Sequence, residues 1–582
     1  MRTGLGTARV GVLLLLLLSI FSASAKAASP TRPLSHAGRW ITDASGRVVV
    51  FHGTSMVYKV APYYPAAAGF GADDAAFLKG IGFNAVRVGV IWKALEPEPG
   101  VYDERYLDQI AGTVRTLAAH GIASLLDFHQ DMFNERFQGE GAPDWAVQDD
   151  GLPAQPQLGF PANYYSMPAL QRALENFWAN SPGPGGVGLE DRFAEAWRHV
   201  AQRFAGNPAV LGYEIFNEPF PGKAYISCYS TAGCPEFDAE LTAFYRKVDA
   251  AIRSADPKTL VWYEPNVLFN FGAVTHVAPV GDSRAGFAFH AYCLENEERG
   301  CASDATTIEN AQQYAASTGD ALLMTEFGAT NSVLDLHHVV ALADQHMVSW
   351  LEWMYCGCND PTTAAVPRDQ ATVYDPRKPP TGSNLATKTI GALVEPYPQA
   401  IAGTPRFWSF DRARRSFDFE FSTRAASGRR SFPLGSVTEI AAPALKYPAG
   451  YHARVNGGAV VSPANAPVLK VASCRQGGSV TVRVAPAISA SQSCRARLRI
   501  RVRPRALRLG HRARYRFTVQ AKLGSYSAPV AGAKVSFDGR TARTNKRGVA
   551  SILVSFPRRQ RACNAFAGAA GYTSARVRLG PR

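Results

Sequence analysis

Two glutamates that each follow a short apolar run have the residue type and surroundings of an acid and nucleophile pair. Glu218 lies in an Asn-Glu-Pro motif directly after the run 210–216, and Glu326 closes the run 321–326 just before a glycine. Because proline and glycine interrupt a β-ladder, both runs are typical of buried strands that leave a carboxylate at their exit. Single strand-end carboxylates are common without any chemistry. Two of them facing one pocket would suit the hydrolysis of a glycosidic bond.

Both runs belong to a regular alternation of strand and helix patterns before residue 360. The predicted strands are 47–53, 84–90, 123–129, 210–216, 259–266, 286–292, 321–326 and 348–355. Amphipathic helix patterns lie between them at 73–79, 105–120, 189–204, 235–254, 307–317 and 334–346. Eight strands that take turns with helix patterns predict an α/β fold, the (β/α)8 TIM barrel, whose active site lies at the carboxyl ends of the strands. In this fold Glu218 ends the fourth strand and Glu326 ends the seventh.

Other polar and aromatic residues fall at the same predicted rim. They are Arg87 on strand two, Asp127, His129 and Asp131 on strand three, His290 and Tyr292 on strand six, and Trp353 and Tyr355 on strand eight. Each of them alone could be an ordinary structural residue. Together they indicate a sugar site, because an aromatic face stacks on pyranose C–H groups while charged side chains bind hydroxyls.

The connection after the third strand is unusually long, from residue 130 to about 188, and it is rich in aromatic residues. These are Phe133, Phe137, Trp145, Phe160, Tyr164, Tyr165, Phe177 and Trp178. Most of the rings could simply pack on one another within the loop. The alternative is that the loop forms an apolar wall beside the sugar site.

The first 27 residues have the pattern of a secretory signal peptide rather than of a folded segment. Arg2 and Arg9 precede the apolar run 10–21, and Ala25-Lys26-Ala27 offers a cleavage site. We therefore expect the protein to be secreted, either free outside the cell or associated with its surface. No later segment reaches the roughly 18 apolar residues of a membrane span.

Nine cysteines in an exported chain predict disulfides, and the histidines do not stand at zinc-ligand spacing beside them. Cys228 with Cys234 and Cys293 with Cys301 would each close a small loop after a barrel strand. Cys356 and Cys358 are separated by one residue, and we expect them to pair elsewhere. Cys474, Cys494 and Cys563 lie in the C-terminal part, and the odd count leaves one thiol.

The net charge of +15 is divided unevenly along the chain. Residues 1–400 contain 28 Lys and Arg against 42 Asp and Glu, whereas residues 401–582 contain 34 against 5. After a catalytic barrel over 33–402, short apolar strands bounded by Gly and Pro predict a β-sandwich over 403–487. Residues 490–582 predict a second β-rich domain that resembles immunoglobulin-like modules.

This last domain is strongly basic, with 22 Lys and Arg against a single acidic residue, Asp538. Arginine occupies every second position at Arg495, Arg497, Arg499, Arg501, Arg503 and Arg505, so a strand here would place them on one face. Such a face would attract an anionic membrane or cell-envelope surface. Nucleic acid is not expected, because aromatic residues do not interleave with the charges. A solvated basic surface is the simpler alternative.

Several motifs together resemble glycoside hydrolase family 5 and, within it, the secreted endoglycoceramidases and related glycosylceramidases. The motifs are Leu-Asp-Phe-His-Gln-Asp at 126–131, Gly-Leu-Pro at 151–153, Asn-Glu-Pro-Phe at 217–220, Glu-Phe-Gly at 326–328 and Pro-Tyr-Pro at 396–398. The resemblance covers residues 33–487. Near Cys293 and Cys356, cysteines stand where the family pattern has loops rich in proline and serine, so the resemblance leaves the glycan open.

The resemblance assigns a role to each matching residue. It implies that Glu218 is the general acid/base, Glu326 is the nucleophile and Asn217 binds the sugar 2-hydroxyl. Arg87 and Tyr292 would lie near the nucleophile, while Lys59, His129, Asp131 and Trp353 would line the first sugar subsite. His290 at strand six is a further substrate-binding candidate. No metal or cofactor is required.

The sequence thus predicts a retaining β-glycosidase that cleaves between a glycan and a lipid. Glu218 must begin protonated, and we expect the negative charge of Glu326 to raise its pKa, while Arg87 favours the ionised form of Glu326. The aromatic loop would accept the lipid. A sterylglucosidase or endo-β-glucanase on the same barrel is the alternative, and a non-catalytic carbohydrate-binding or adhesin protein is a second. Oligomeric state and single-sugar against whole-glycan release are left open.

Overall fold

Eight parallel strands form a closed barrel, which confirms the predicted (β/α)8 fold. The structure is a computed structural model, and it describes residues 30–228, 232–293 and 301–581. The predicted signal peptide lies outside the described residues. In chain order the barrel strands are His52–Met56, Ala85–Val90, Ala123–Phe128, Val210–Glu214, Leu260–Tyr263, Ala285–Ala291, Ala321–Phe327 and Trp350–Glu352.

Amphipathic helices cover the outside of the barrel. The main ones are Ala72–Ile81, Glu104–Ala119, Leu189–Phe204, Pro235–Ala255, Ala302–Thr318, Val333–His346 and Thr387–Leu393. Glu104–Ala119 shows why they form: its buried side chains recur every three or four residues, which gives one apolar face. The Asp103 carboxylate caps its first turn by accepting the backbone N–H groups of Arg105 and Tyr106.

The long connection after the third strand contains helices of its own. Other short helices and turns lie in the remaining loops. The short α-helices are Trp92–Leu95, Ala162–Ser166, Pro168–Trp178 and Tyr225–Cys228. Single 3-10 turns are Pro65–Ala68, Glu135–Phe137, Asp144–Ala146, Pro184–Gly186, Gly222–Ala224, Val267–Phe271 and Gly382–Asn384. Among the helices of the described residues, none combines the length and apolarity that crossing a bilayer requires.

The predicted first strand, 47–53, is wrong in its position. Val48–Val49 pairs with Tyr397–Ile401 in a C-terminal sheet, and the barrel strand begins only at His52. The run from Val48 to Phe51 is buried throughout, so one apolar segment serves two neighbouring sheets. Continuous burial removes the alternation that would have marked the boundary between them.

The residues after the barrel form a β-sandwich, as predicted. One sheet contains Ser35–Ala37, Trp40–Thr42, Val48–Val49, Tyr397–Ile401, Val437–Ala441, Val468–Ser473 and Gly458–Val460. The other contains Thr404–Asp411, Ser416–Ser422, Ser479–Ala485, His452–Asn456 and Ser491–Gln492. A core that includes Trp408, Phe419 and Ile401 lies between the sheets. The segment before the barrel therefore contributes strands to this sandwich.

The basic C-terminal residues form a second sandwich. Its sheets are Arg497–Arg503, Arg512–Leu523, Tyr526–Pro529 and Val549–Ser555, and Arg540–Arg543, Lys534–Phe537, Cys563–Gly568 and Ala575–Leu579. Only four of the six alternating arginines lie in the first strand, since Arg495 and Arg505 fall outside it. Strand pairing places further cations beside these four. We call this set the arginine face: Arg497, Arg499, Arg501, Arg503, Arg512, Arg514, Arg516 and Lys522.

Four disulfides are formed by the nine cysteines. Cys228–Cys234 and Cys293–Cys301 are confirmed, and Cys474 pairs with Cys494. Cys563 is the free thiol. The expectation that Cys356 and Cys358 pair elsewhere is wrong, because they pair with each other. The chain bends at Gly357 enough to bring their Cα atoms to 5.2 Å, within the range that a disulfide tolerates.

Trp262 fills the barrel interior beneath the strand exits. Its fully buried indole packs between Gly212 on the fourth strand and Gly286 on the sixth. A Cβ atom on either glycine would overlap the indole ring. These two glycines are therefore required by packing, since neither has the positive φ that would make glycine a backbone requirement.

We predict that Gly212→Ala lowers the free energy of unfolding by about 1–3 kcal/mol, because the barrel interior must shift to admit the methyl group. Urea unfolding followed by tryptophan fluorescence measures the change. The matched control is Gly80→Ala in the helix Ala72–Ile81, where a Cβ has open space. There we expect a gain of up to about 1 kcal/mol. Equal effects from the two substitutions would contradict this account of the interior.

Candidate active site

The two predicted glutamates face each other across the mouth of the barrel. Nδ1 of His290 lies 2.8 Å from Oε1 of Glu218 and 3.6 Å from Oε2 of Glu326. One oxygen of each carboxyl and one imidazole nitrogen of His290 all lie within 4.8 Å of one another. Both carboxyls line a cavity of about 860 Å³. The spacing resembles that of retaining glycosidases, in which one carboxyl attacks the carbon whose leaving oxygen the other protonates.

Arg87 positions Glu326 from below. The guanidinium is fully buried and donates hydrogen bonds to the carboxylates of Glu326 and Glu214 and, at 2.7 Å, to Oδ1 of Asn217. The hydroxyl of Tyr292 donates to the other oxygen of Glu326 at 2.8 Å. Two donors of this kind stabilise a carboxylate and fix its orientation. Arg87 therefore also links the Asn-Glu-Pro motif to the seventh strand.

Glu218 is held in an uncommon backbone conformation. Its φ is +46°, and its backbone N–H donates to Oε2 of Glu264 at 3.2 Å. Its Oε1 accepts a hydrogen bond from Nδ2 of Asn270 at 2.6 Å. A left-handed conformation at a residue other than glycine persists only where its surroundings enforce it. The conformation directs the carboxyl into the cavity beside Glu326.

Burial raises the pKa of Glu218 to about 7, and the negative charge of Asp131 is the next largest cause. The predicted direction is therefore found, but burial and Asp131 rather than Glu326 give the largest contributions. Burial also lowers the pKa of the neighbouring His290 to about 4, so its imidazole is neutral near pH 7. A neutral histidine beside Glu218 leaves the carboxyl free to hold its own proton.

The carboxyls around Arg87 outnumber the nearby cations. They are Asp127, Glu214, Glu264 and Glu326. Burial raises the pKa of Glu214 to about 7 despite Arg87, and burial with the charge of Glu214 raises the pKa of Glu264 well above its usual range. Burial opposes protonation of His129, but Asp127 and other hydrogen-bond partners outweigh it and raise its pKa to about 9. Protonation of these groups thus neutralises the part of the negative charge that Arg87 alone cannot neutralise.

Lys59 organises a second group of side chains on the cavity wall. Its ammonium donates to Oδ2 of Asp131 at 2.6 Å and to Oγ1 of Thr362 at 2.8 Å. It also lies 4.5 Å from the centre of the Trp353 ring. The same ring stacks on His129 with a centroid distance of 5.2 Å. The ammonium of Lys59, the carboxylate of Asp131 and the face of the Trp353 ring therefore lie together, an arrangement that suits the binding of a sugar ring.

The structure brings all ten predicted site residues into one region but in two layers. The cavity is lined by Lys59, Asp131, Asn217, Glu218, Tyr292, Glu326 and Trp353. Arg87, His129 and His290 are buried behind this lining and act on it through hydrogen bonds and stacking. Tyr355 points away from the site, because its hydroxyl donates to the buried carboxylate of Asp74.

Sequence reasoning missed several polar residues of the site. Glu264 is followed by proline at the exit of the fifth strand, so the carboxylate–proline pattern used for Glu218 could have found it. Glu140 and Asp360 contribute to the environment of Lys59, at 3.9 and 3.3 Å. Both come from long irregular connections. Asn270 lies in a 3-10 turn, and no local pattern marks any of these three.

The large apolar side chains of the cavity come mainly from one side of the barrel. They are Phe160, Tyr164 and Tyr165 after the third strand, Phe220 after the fourth, and Val267, Leu268 and Phe271 after the fifth. The other long-loop aromatics, including Phe133, Phe137, Phe177 and Trp178, belong to the barrel's core. Both interpretations of that loop are therefore right, each for a different set of rings.

The cavity consequently has two contrasting sides. Lys59 follows the first strand and Trp353 and Thr362 follow the eighth, so these residues of the charged side lie opposite the apolar wall in a ring of eight strands. Their partner Asp131 reaches them from the exit of the third strand. Glu218 stands at the exit of the fourth strand, within the sector that carries the apolar wall. Glu326 stands at the seventh, next to the charged side.

Known proteins share this architecture. Residues 42–359 match the model of the cellulase family, glycosyl hydrolase family 5. Residues 396–484 match the glycoside hydrolase family 5 C-terminal domain.

Among curated proteins, endoglycoceramidase I of Rhodococcus hoagii (strain 103S) is 33% identical over 479 residues, covering 78% of this chain and 89% of that protein. An endoglycoceramidase of Cyanea nozakii is 29% identical over 66% of this chain and 80% of its own length. Among solved structures, the ganglioside GM3 complex of endo-glycoceramidase II from Rhodococcus sp. aligns with a TM-score of 0.62 and 27% identity, covering 77% of this chain and 99% of that one.

Proposed function

This chain belongs to glycoside hydrolase family 5, and we propose that it is a retaining β-glycosidase that cleaves glycosphingolipids between the glycan and the ceramide. The observation that carries the substrate class is the position of the apolar wall. A general acid must touch the leaving oxygen, so the leaving group lies on the side of Glu218. That side presents Phe160, Phe220 and Phe271, which suit alkyl chains rather than a second sugar.

The two carboxyls would act in sequence. Glu326 attacks the anomeric carbon while Glu218 gives its proton to the ceramide oxygen, so the glycosidic bond breaks as a glycosyl ester forms. The ester is neutral, which lowers the pKa of Glu218. Glu218 then takes a proton from water, whose oxygen attacks the anomeric carbon and releases Glu326. Arg87 and Tyr292 hold the nucleophile in line throughout.

The charged side would bind the sugar next to the bond that breaks. Trp353 offers a face for stacking, and Lys59 with Asp131 offers a donor and an acceptor for neighbouring hydroxyls. The side chain of Asn217 is fixed by Arg87 and by the backbone carbonyl of Gln130, at 3.0 Å. We assign it the 2-hydroxyl, where binding strengthens in the oxocarbenium-like transition state.

The substrate class also accords with the relatives, which are named endoglycoceramidases, and with the related structure that holds a ganglioside. A sterylglucosidase would use the same wall for a sterol, and an endo-β-glucanase would leave the wall without a partner. The long aromatic connection after the third strand favours a lipid aglycone.

We further propose that the protein is secreted and that the arginine face holds it on an anionic membrane or cell-envelope surface. All seven arginines of the face are exposed. Asp538 is the one acidic residue of the whole domain, so neutralisation within the domain is impossible. Each cation near an anionic bilayer adds about 1 kcal/mol of attraction.

We predict a marked substrate preference. Wild-type protein should hydrolyse glucosylceramide or gangliosides, with sterol glucoside and soluble β-glucan much poorer substrates. Phe160→Ala should raise KM for the glycolipid about tenfold, because an apolar contact with the aglycone is lost. Leu152→Ala in the same connection, outside the cavity, is the matched control and should leave KM unchanged. Chromatography of the released products measures the rate on each substrate. Faster hydrolysis of soluble glucan than of glycolipid would refute the proposed substrate.

We also predict that kcat/KM falls as the pH rises through about 7, because the proton that Glu218 must donate is lost there. The Glu218→Gln variant should not show this decline, and its kcat should be about 10²–10⁴ times lower than that of the wild type. On a fluoride glycoside, whose leaving group needs no proton, the first step should be nearly intact. Glu326→Gln should be inactive on both substrates. Full activity of either variant on the glycolipid would exclude its assigned role.

For the arginine face, the test is binding to phosphatidylserine vesicles in low salt. Arg499→Gln, Arg501→Gln, Arg514→Gln and Arg516→Gln in combination should weaken binding by about two orders of magnitude. A control with Lys534, Arg543, Arg576 and Arg578 changed to Gln removes the same charge from the other sheet. Sedimentation of vesicles measures the bound fraction. Equal losses would show that total charge, rather than this face, is responsible.

A further inference from the structure

The four most exposed large apolar side chains of the described residues are close neighbours in sequence of residues that line the cavity. They are Leu158, Ile226, Leu334 and Val366, exposed by 62, 64, 61 and 62%. Each is within two residues of a side chain that lines the cavity, namely Phe160, Cys228, Asp335 and Ala365. We call these four the apolar rim.

The apolar rim is assembled from separate parts of the chain. Leu158 follows the third barrel strand, Ile226 the fourth, Leu334 the seventh and Val366 the eighth. Single exposed aliphatic residues are normal on a protein surface. Four that stand beside the lining of one cavity, on four different connections, are not scattered in this way, and grouped exposed apolar residues mark sites of contact.

We propose that the apolar rim inserts into the surface of a lipid bilayer and seats the cavity mouth on the membrane. This inference rests on the proposed function and adds how the substrate is reached. All four side chains are aliphatic and have no polar group. An interface with a protein partner usually includes polar groups and bridging water, so a lipid surface suits these side chains better. Leu158 and Ile226 follow the third and fourth strands, whose connections also carry Phe160 and Phe220 of the apolar wall, so this part of the rim adjoins the wall.

The physical advantage lies in the alkyl chains of the substrate. A glycolipid drawn into a cavity that opens on water would expose its alkyl chains during transfer, which opposes extraction from the bilayer. With the rim seated in the bilayer, the chains pass from the membrane interior to Phe160, Tyr165 and Phe271 without crossing water. The glycan enters the opposite, charged side of the cavity.

The apolar rim and the arginine face would contribute through different forces. Attraction between charges is screened by salt, with a Debye length of about 3 Å at 1 M. Burial of aliphatic side chains is not weakened by salt. Binding to zwitterionic vesicles, which carry no net charge, in high salt therefore measures the contribution of the rim alone.

The experiment compares two double variants with a matched control. Leu158→Ser with Val366→Ser, and Ile226→Ser with Leu334→Ser, each remove two rim side chains. The control, Phe407→Ser with Leu445→Ser, removes two exposed apolar side chains from the first C-terminal sandwich. The substrates are a glycosphingolipid in phosphatidylcholine vesicles at 1 M salt and a water-soluble glycoside with the same sugar and a short alkyl aglycone.

We expect kcat/KM on the vesicles to fall about tenfold or more in each rim variant, with the soluble glycoside cleaved within about twofold of wild type. The control should match wild type on both substrates. An unchanged vesicle rate, an equal loss on both substrates, or a rim variant that changes the oligomeric state in sedimentation would each overturn the proposal. If the wild type cleaves neither of the two substrates, the proposed function itself is refuted.

Discussion

The site depends on one buried cation held beneath more carboxyls than it can neutralise. The guanidinium of Arg87 is surrounded by Asp127, Glu214, Glu264 and Glu326, and it commits its strongest hydrogen bonds to Glu326 and Glu214. An excess of buried negative charge is costly, and protons remove it where the cation does not reach. Burial raises the pKa of Glu264 well above its usual range and that of Glu218 to about 7, and the negative charge of Asp131 adds to the effect on Glu218. Arg87 thus fixes the nucleophile, while burial and Asp131 favour the protonated form of the acid.

The barrel makes this arrangement possible by separating the two carboxyls in sequence while joining them in space. Glu218 and Glu326 belong to strands four and seven, so each can be supported by different neighbours. Glu218 has Asn270 and Glu264 from the fifth strand's connection, whereas Glu326 has Arg87 from the second strand and Tyr292 after the sixth. The connections differ in polarity as well. A site for a substrate with a polar and an apolar half can therefore be built without altering the barrel itself.

Apolar runs alternating with helix patterns of period 3.6 were enough to predict the barrel and its helices, because each depends on local burial. The proline and the glycine that end two of these runs pointed to the two facing glutamates. The position of the first strand could not be found in this way, since Val48 to Phe51 is buried in two sheets at once. Glu140 and Asp360 were missed for a different reason. Their contact with Lys59 depends on the path of long loops, which no local periodicity encodes. The pairing of Cys356 with Cys358 likewise requires the bend at Gly357.

The aromatic residues of the third connection show how one segment can serve both stability and specificity. Phe177 packs against Trp92, Phe193 and Phe216 in the barrel's core, while Phe160 and Tyr165 face the cavity. Rings anchored in the core hold the helices Ala162–Ser166 and Pro168–Trp178 in place. The cavity wall is consequently formed before any ligand arrives, and binding costs less conformational entropy than ordering a free loop would. A preformed apolar wall accepts alkyl chains at least cost where its opening meets the phase in which those chains dissolve, so the polarity of the wall bears on the polarity of the rim around it.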